Sequence, residues 1–347
     1  MKYLFRYTSC LGLGLLMVNT PALLAQSSDI EEIAVTGTRI RGANPAGFSP
    51  VTIINQEQIQ LSGEISIAEL LQELPSQGSG QNRNRNNGGS GAVRIDFRNL
   101  GASRTLVLVD GKRWINSGGG ANASVDLNTI PTASIERVEV LKDGASAIYG
   151  SDAIGGVINI ITKAPTDEFK GSVTGEYRKV ASGDGGDQFR VGGNINGKMT
   201  DQVGFDVSVE RLQRDAWFAD DDAEAADEPP LMEEKDTTNL RSTLMVDLTD
   251  NQKLDIDFGY TKDDRPYGVY SNGPAYRAQK LNRVDLALTH TGYWLWGSTT
   301  AYIKRENSRV DDYNTSYNVV QHNTQEQNTY AKFYASLASD WNNLVAG

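Results

Sequence analysis

The second half of the chain alternates apolar and polar positions with a period of two. Such a period places successive side chains on opposite faces of a β-strand. Six regular segments lie near residues 169–177, 189–199, 203–209, 240–248, 254–260 and 284–288, and two less regular ones near 294–306 and 328–340. Residues 164–347 are therefore predicted to form about eight antiparallel strands.

The lengths of these segments and of their connections favour a membrane barrel over a soluble sandwich, which can also alternate. The strands are about ten residues or longer, near the length that a tilted strand needs to cross a bilayer. Short turns are predicted near 200–202, 249–252 and 291–292, and long polar loops near 215–236, 263–280 and 308–326. Short turns on one side and long loops on the other are typical of outer-membrane barrels. Aromatic residues near predicted strand ends fit the membrane interface: Tyr177, Tyr260, Tyr293, Trp294, Trp296 and Trp341.

Residues 49–163 have a different pattern, which predicts a compact α+β domain. Val51–Ile54 is a short strand, and Asn55 is placed to cap a short helix that ends at Gly63. Ser66 begins a second helix with Glu69 at capping-box spacing. The apolar face of this helix is a packing face: Ile67, Leu70, Leu71 and Leu74.

Further strands are predicted in the middle of this domain. Val93, Ile95 and Phe97 alternate with charged residues and predict a half-buried strand. The apolar run 105–109 predicts a buried strand that turns through Asp110-Gly111 into residues 112–114 as a hairpin.

The block 134–163 is dense in turns. A strand with Ile135, Val138 and Val140 precedes one helical turn at 145–149, which Gly150 is placed to close. Gly155-Gly156 permits a bulge or a close backbone approach before a strand at 157–161. Ser151-Asp152 does not indicate a nucleophile site, because residues 49–163 contain no histidine.

The first 25 residues are predicted to be a secretory signal peptide. Lys2 and Arg6 precede an apolar run at 11–18, and the cleavage site is expected after Ala25. The run is too short to span a membrane. Cys10, the one cysteine of the chain, lies within this segment.

Residues 26–48 are predicted to form a tether. Within it, 33–36 can form a strand, either at the edge of the next domain or as a peptide that adds to a partner's sheet. The predicted partner-binding residues are Glu32, Ile33, Ala34, Val35 and Thr36.

Composition excludes several functions. A formal charge of −11 argues against nucleic-acid binding. No constellation of acid, base and nucleophile emerges, so an enzyme is not expected, nor is any cofactor. The acidic loop 220–228 lacks EF-hand spacing, and His290 and His322 are the two imidazoles, so no metal site is predicted.

A polar loop at 78–91 is the candidate ligand-binding segment. Either it is a solvated loop, or its side chains present donors to an anionic ligand. The candidate residues are Arg83, Asn84, Arg85 and Asn86.

Several blocks of the chain resemble TonB-dependent outer-membrane receptors. The block 125–163 is the most specific, and the other matching pieces are 31–39, which resembles a TonB box, 49–75, 95–101 and 106–114. The barrel portion is similar to the family only in its pattern.

The resemblance implies a plug domain (49–163) inside a β-barrel of about 22 strands, of which residues 164–347 supply about eight. It implies that the protein TonB, with its inner-membrane energising complex, captures the box near Ile33 to Thr36. Further expected partners are outer-membrane lipid and a small-molecule ligand: a ferric siderophore, cobalamin or a carbohydrate. The strand count and the end of the sequence depart from the family, so the sequence resembles a fragment.

Two functions fit this resemblance. One is energised uptake across the outer membrane, and the other is ligand-sensing signal transduction without net uptake. Transducers of the family carry an extra folded domain before the box, whereas about five residues separate the predicted cleavage site from Glu31. Uptake is therefore the favoured prediction. A passive pore is disfavoured because the plug would block it.

Overall fold

The structure is a computed structural model. It describes residues 51–62, 67–77, 93–114, 125–142, 144–218, 230, 232–270, 274–314, 319–337 and 344–346. The predicted signal peptide (1–25) and tether (26–48) lie outside these residues, as do Ser66, the acidic loop 220–228 and Trp341.

The first part of the chain, here called the mixed domain, contains a five-stranded sheet. The order across the sheet is β1-β4-β5-β2-β3, in which β2 and β5 are parallel and the other neighbours are antiparallel. The strands are β1 (Val51–Asn55), β2 (Thr105–Val109), β3 (Lys112–Arg113), β4 (Ile135–Leu141) and β5 (Gly156–Thr162). All five agree with the strands predicted from the sequence.

Short helices cover this sheet: α1 (Gln56–Leu61), α2 (Ile67–Gln72) and α3 (Ser146–Tyr149). The predicted cap of α1 is confirmed, because the Asn55 side chain accepts from the Gln58 amide and the Gln58 side chain accepts from the Asn55 amide. These reciprocal bonds satisfy amides that have no partner inside the helix. Single turns of 3-10 helix lie at Ala102–Arg104, Leu127–Thr129, Thr132–Ser134 and Ser151–Ala153.

The core of the mixed domain joins the helices to the sheet. Apolar side chains of α1, α2, β2, β4 and β5 pack into one cluster with almost no exposure. Gly156 lies against this cluster with φ +152°, and an added Cβ would stand 2.6 Å from the Leu141 carbonyl oxygen and 2.8 Å from the Phe97 ring. The predicted close backbone approach at Gly156 is therefore confirmed.

The predicted strand at Val93–Phe97 is wrong. The three apolar side chains are buried as expected, but the segment is extended chain with one isolated bridge, between Gln77 and Phe97. Its amides donate to side chains in place of a neighbouring strand. The Val93 amide donates to Asp126 Oδ1 at 3.2 Å, and the Phe97 amide donates to Thr105 Oγ1 at 3.3 Å. A period of two shows which side chains are buried, but not what the backbone pairs with.

The predicted hairpin between β2 and β3 is confirmed. Asp110 and Gly111 both have positive φ, 51° and 72°, which is the geometry that suits a two-residue hairpin turn. The Asp110 carboxylate also accepts from the Thr162 amide at 2.8 Å and from its hydroxyl at 2.9 Å. The turn is therefore fixed to the end of β5.

The second part of the chain forms an antiparallel sheet of nine strands among the described residues. Its order is β16-β15-β14-β13-β12-β11-β9-β8-β6, so neighbours in the sheet follow one another along the chain. The strands are β6 (Lys170–Arg178), β8 (Gln188–Thr200), β9 (Val203–Arg214), β11 (Lys235–Thr249), β12 (Gln252–Tyr270), β13 (Pro274–Trp294), β14 (Gly297–Asn314), β15 (Val319–Leu337) and β16 (Leu344–Ala346). A separate pair, β7 (Asp184–Gly185) and β10 (Trp217–Phe218), joins two of the connections.

Two of the predicted long loops are wrong. Strands β12 to β15 extend through most of 263–280 and 308–326, and their residues pair along these segments, with one register shift between β14 and β15 at Asp312/Tyr313. Polar composition led to the loop prediction, but strand pairing needs only backbone groups. Tyr260 was predicted near a strand end. Because β12 continues to Tyr270, Tyr260 lies within the strand. Tyr293 and Trp294 do lie at the end of β13, as predicted.

The two faces of the nine-stranded sheet differ in chemistry. On one face, here called the apolar face, side chains such as Phe189, Val209, Leu286, Ile303 and Phe333 are exposed. On the other, here called the polar face, charged and polar side chains are buried against the mixed domain. This is the reverse of a water-soluble sheet, in which the apolar face is buried. No helix in the described part of the chain has the length and hydropathy to cross a membrane.

Candidate functional site

The residues that the sequence predicted for binding lie outside the described residues. The predicted partner-binding set is Glu32, Ile33, Ala34, Val35 and Thr36. The predicted ligand-binding set is Arg83, Asn84, Arg85 and Asn86. Both assignments stay predictions.

The candidate site in the described structure is the interface between the mixed domain and the polar face. Its first part surrounds the β2–β3 hairpin. Lys112 Nζ lies 2.7 Å from Asp257 Oδ2 of β12, and the two side chains are 10% and 6% exposed. Arg241 Nη2 of β11 lies 3.4 Å from Asp110 Oδ2 in the hairpin turn. The hairpin is therefore bound to the sheet through charges of both signs.

Lys112 remains charged at this interface. Burial alone would lower the pKa of its ammonium group. The neighbouring carboxylates of Asp257 and Asp110 outweigh burial and raise the pKa above its ordinary value. The raised pKa keeps the Lys112 ammonium charged beside Asp257.

Trp114, directly after β3, lies beneath three cations of the sheet. Its ring centroid is 3.8 Å from the Arg283 guanidinium carbon, 4.4 Å from Lys304 Nζ and 5.6 Å from the Arg241 guanidinium carbon. The face of an indole ring attracts cations, most strongly where water is excluded. The indole N–H donates to Thr129 Oγ1 at 3.0 Å, which fixes the ring within the mixed domain.

Acidic residues of the sheet balance these cations. Glu306 pairs with Arg283, and its second oxygen lies 3.2 Å from Lys304 Nζ. Asp285 Oδ2 lies 3.6 Å from Arg241. Lys304 also donates to the Arg113 carbonyl oxygen at 2.9 Å, so it binds the hairpin backbone directly.

A second cluster of charges centres on Arg265 of β12. Its guanidinium pairs with Asp126 of the mixed domain and with Asp263 of the sheet, and all three side chains are buried. Lys235 lies 3.7 Å from Asp263. Asp126 also accepts from the Val93 amide at 3.2 Å and from the Asn128 amide at 3.1 Å. One carboxylate therefore organises the backbone of the mixed domain and binds the sheet.

Two further contacts complete the interface near the 3-10 turns. Glu210 of β9 accepts from the Ala133 amide at 3.3 Å. The Thr261 hydroxyl donates to the Thr129 carbonyl oxygen at 3.1 Å. The mixed domain is therefore bound to β9, β11, β12 and β14 by polar groups.

One buried acid near Arg214, Arg265 and Lys235 is held partly neutral. Glu233, just before β11, is 5% exposed, and burial raises the pKa of its carboxyl group to about 7, although Arg214, Arg265 and Lys235 lower it in part. Arg214 donates to the Glu233 backbone carbonyl oxygen at 2.7 and 2.9 Å.

This arrangement can hold two bodies together, but it does not indicate catalysis or metal binding. Within the described ranges, no group of three or more His, Cys, Asp or Glu residues is placed to hold a metal ion. Buried ion pairs gain little net stability because desolvation opposes the attraction, yet removing one partner is costly. Such an interface fixes one position of the mixed domain against the polar face of the sheet. Water can replace its contacts when the two surfaces separate.

Sequence reasoning did not identify this interface. The signal was present, since charged residues such as Arg241, Asp257, Arg283, Asp285 and Lys304 occupy the alternate positions of the predicted strands. Their partners could not be inferred, because the pairs join residues that are more than a hundred positions apart, as in Lys112–Asp257 and Asp126–Arg265.

Comparison with known proteins assigns the mixed domain to a family. A family model described as the TonB-dependent receptor plug domain matches residues 47–157. The ferric enterobactin receptor PirA of Pseudomonas aeruginosa is 29% identical over 290 residues, which cover 76% of this chain and 39% of that protein. The ferrienterobactin receptor of Escherichia coli is 28% identical over 277 residues, which cover 71% of this chain and 37% of that protein.

Solved structures share the fold. A mutant of the ferric enterobactin receptor PfeA from Pseudomonas aeruginosa, in complex with enterobactin, has a TM-score of 0.68 at 24% identity and covers 83% of this chain and 46% of that one. The siderophore receptor PirA from the same organism has a TM-score of 0.62 at 23% identity and covers 84% of this chain and 45% of that one. The chain thus spans less than half the length of these relatives. The expectation that it is not an enzyme agrees with these receptors. The chain therefore resembles TonB-dependent receptors over most of its length, and residues 47–157 match the plug domain of that family, so the mixed domain is called the plug domain below.

Proposed function

We propose that this chain acts in an outer-membrane receptor that imports a ferric siderophore with energy delivered by TonB. The observation that carries the proposal is the plug-domain match at residues 47–157, combined with relatives that are named as receptors for ferric enterobactin. Cobalamin and carbohydrates, the other predicted ligands, have no support among these relatives.

The two faces of the nine-stranded sheet fit this location. Exposed apolar side chains on one face suit contact with lipid, and buried charges on the other suit contact with a plug domain. The proposed organisation is a signal peptide at 1–25, a periplasmic tether at 26–48, a plug domain at 49–163 and barrel strands at 164–347.

The polar interface fits a plug that must move. Its contacts are ion pairs and hydrogen bonds, and water can replace each of these partners when the two surfaces separate. A hydrophobic interface of the same size would oppose separation, because its apolar surface would become exposed.

Two segments are proposed to bind partners. TonB pairs with residues 32–36 by strand addition, in which backbone groups supply the hydrogen bonds. Arg83, Asn84, Arg85 and Asn86 are proposed to contact the siderophore, because two guanidinium groups suit an anionic ferric siderophore.

The test is accumulation of iron by iron-starved cells that are given ferric enterobactin with a radioactive label. Cells lacking the gene for this chain should lose accumulation, and cells lacking TonB should bind the complex without accumulating it. The alternative function of a signal transducer predicts a different result: accumulation would be unchanged in the first strain, and only ligand-dependent transcription would be lost. That outcome would overturn the proposal.

A further inference from the structure

The two ends of the connection between β9 and β11 are bound to each other. Arg214, the last residue of β9, donates from Nε and Nη2 to the Glu233 carbonyl oxygen at 2.9 and 2.7 Å. The Trp217 amide donates to the Met232 carbonyl oxygen at 3.0 Å, and the Met232 amide donates to that of Trp217 at 3.3 Å. The described ends of the connection, residues 215–218, 230 and 232–234, are here called the latch.

A second connection packs against the latch. Trp217 and Phe218 pair with Gly185 and Asp184, which lie between β6 and β8. The Trp217 indole N–H also donates to the Ser182 carbonyl oxygen at 2.8 Å. The latch is therefore closed by a small number of hydrogen bonds at the end of the sheet. A segment held in this way can open locally at a lower free energy than global unfolding requires.

The Glu233 carboxyl group is buried in the closed latch without a partner. The residue is 5% exposed, and its carboxyl oxygens form no hydrogen bond or ion pair with the described residues. An ionised carboxylate buried without hydrogen bonds is costly, whereas a neutral carboxylic acid is buried at a much lower cost. In an open latch the same group is hydrated. Ionisation of Glu233 therefore favours opening, and protonation favours closure.

Cations on three strands oppose the effect of burial in part. Arg214 of β9, Arg265 of β12 and Lys235 of β11 lower the pKa of the Glu233 carboxyl group, but burial is the larger effect and raises it to about 7. Arg265 and Lys235 are already occupied by other carboxylates, namely Asp126 of the plug domain and Asp263 of β12. Because the opposing effects balance near neutral pH, a small change in pH changes the charge of Glu233.

We propose that the latch is controlled by one proton: it is closed while the Glu233 carboxyl group is neutral and opens when this group ionises. The proposal concerns the folded chain and does not depend on the proposed transport function. The latch lies at the end of the sheet opposite to the two-residue turns at 201–202, 250–251 and 295–296. Short turns face the periplasm in outer-membrane barrels, so in the proposed location the latch faces the external medium.

Closure should weaken as the pH rises. The pKa of Glu233 in the closed latch is about 7, against an ordinary value of 4.5. The proton therefore stabilises closure fully below the ordinary value, and this contribution is lost as the pH rises through 7. The equilibrium constant for opening should increase about tenfold between pH 6 and pH 8.

Hydrogen exchange of the purified chain in detergent measures this opening. The amides of Trp217 and Met232 report the latch, and the amide of Leu244, in the middle of β11, reports opening of the sheet. After correction for the intrinsic exchange rate, the two latch amides should exchange faster than Leu244 at both pH values. Their protection should fall about tenfold from pH 6 to pH 8.

Two matched variants assign this change to one carboxyl group. Glu233→Gln keeps the size of the side chain but cannot ionise, so its latch amides should lose most of the change with pH. Glu168→Gln is the same substitution at a side chain that is 81% exposed, and it should keep the change. Protection of Leu244 shows that both variants fold. A tenfold change that persists in Glu233→Gln, its loss in Glu168→Gln, or latch amides that exchange no faster than Leu244 would overturn the proposal.

Discussion

The Lys112 ammonium and the Asp257 carboxylate lie 2.7 Å apart with almost no exposure to water. At the scale of single residues, such pairs decide where the plug domain sits. The attraction between the charges is offset by the loss of their hydration, so the pair contributes specificity more than net stability. A single substitution nevertheless leaves the other charge buried without its partner.

Removing the Lys112 charge should destabilise the folded chain. Lys112→Met removes the ion-pair partner of the buried Asp257 carboxylate, which keeps the Thr243 hydroxyl bond at 2.9 Å, so the free energy of unfolding should fall by about 3 kcal/mol. The measurement is urea unfolding followed by tryptophan fluorescence. The control is Lys170→Met, because Lys170 is 59% exposed and 3.8 Å from Glu168, and its effect should stay within about 1 kcal/mol. Equal losses in the two variants would contradict the role given to the pair.

Glu233 predicts a dependence of stability on pH. Its pKa is about 7 in the folded chain, against an ordinary value of 4.5. The folded state therefore holds a proton that the unfolded state has lost between these values, and stability falls as pH rises through this window. Glu233→Gln should remove this part of the decline and be more stable than the unmodified chain by up to about 3 kcal/mol above pH 7.

The measurement for Glu233 is the urea midpoint at several pH values on either side of the window. Glu168→Gln is the control, because the Glu168 side chain is 81% exposed. Parallel pH profiles for Glu233→Gln and the unmodified chain would show that this carboxyl group does not cause the decline.

At the scale of elements, the sequence predicts strands well where a repeated period of two continues for many residues. The cores of β8, β9, β11, β12 and β13 agree with the predicted segments. Loop predictions at 263–280 and 308–326 were wrong because polarity was read as absence of structure. In this sheet one face is mostly polar, so a polar residue does not mark the end of a strand.

The Val93–Phe97 segment shows the opposite error. Its period of two correctly predicted three buried side chains, but side-chain acceptors on Asp126, Gln77 and Thr105 bind its amides. The charged interface was also beyond prediction. Its residues occur at alternate positions of the strands, but which residues pair depends on how the plug domain packs against the sheet.

The packing of β5 depends on glycine at position 156. Gly156→Ala would place a Cβ against the Leu141 carbonyl oxygen and the Phe97 ring at a positive φ. It should lower the free energy of unfolding by about 2 kcal/mol or more. Gly175→Ala in β6 is the control, because no atom lies within 4 Å of its added Cβ, and its effect should be within about 0.5 kcal/mol. Comparable midpoints in denaturant for the two variants would exclude the proposed close packing at Gly156.

At the scale of the whole molecule, the sheet has one exposed apolar face, proposed to contact lipid, and one polar face that contacts the plug domain. The plug domain is bound by charges that can exchange partners, and the proposed ligand and TonB segments are separate stretches of the sequence. Ligand binding and energy coupling are therefore expected to be separable by mutation.

A variant of the predicted ligand-binding loop at 78–91 tests ligand binding separately from energy coupling. Arg83→Ala combined with Arg85→Ala should weaken binding of ferric enterobactin at least about tenfold, because two charge-assisted contacts are lost. Fluorescence titration of purified protein measures this. Lys170→Ala with Lys198→Ala, two exposed lysines of the sheet, should bind as the unmodified protein does. Unchanged affinity in the arginine variant would favour the alternative that this loop is a solvated segment without a role in binding.

The most direct test of energised uptake compares Val35→Pro with Val35→Ala. Proline removes an amide donor from the segment proposed to pair with TonB, whereas alanine keeps it. Cells carrying each variant are given ferric enterobactin with radioactive iron, and surface-bound and accumulated iron are measured separately. We expect Val35→Pro to bind ferric enterobactin normally and accumulate only background iron, while Val35→Ala accumulates iron as the unmodified protein does. Normal accumulation by Val35→Pro would contradict this expectation.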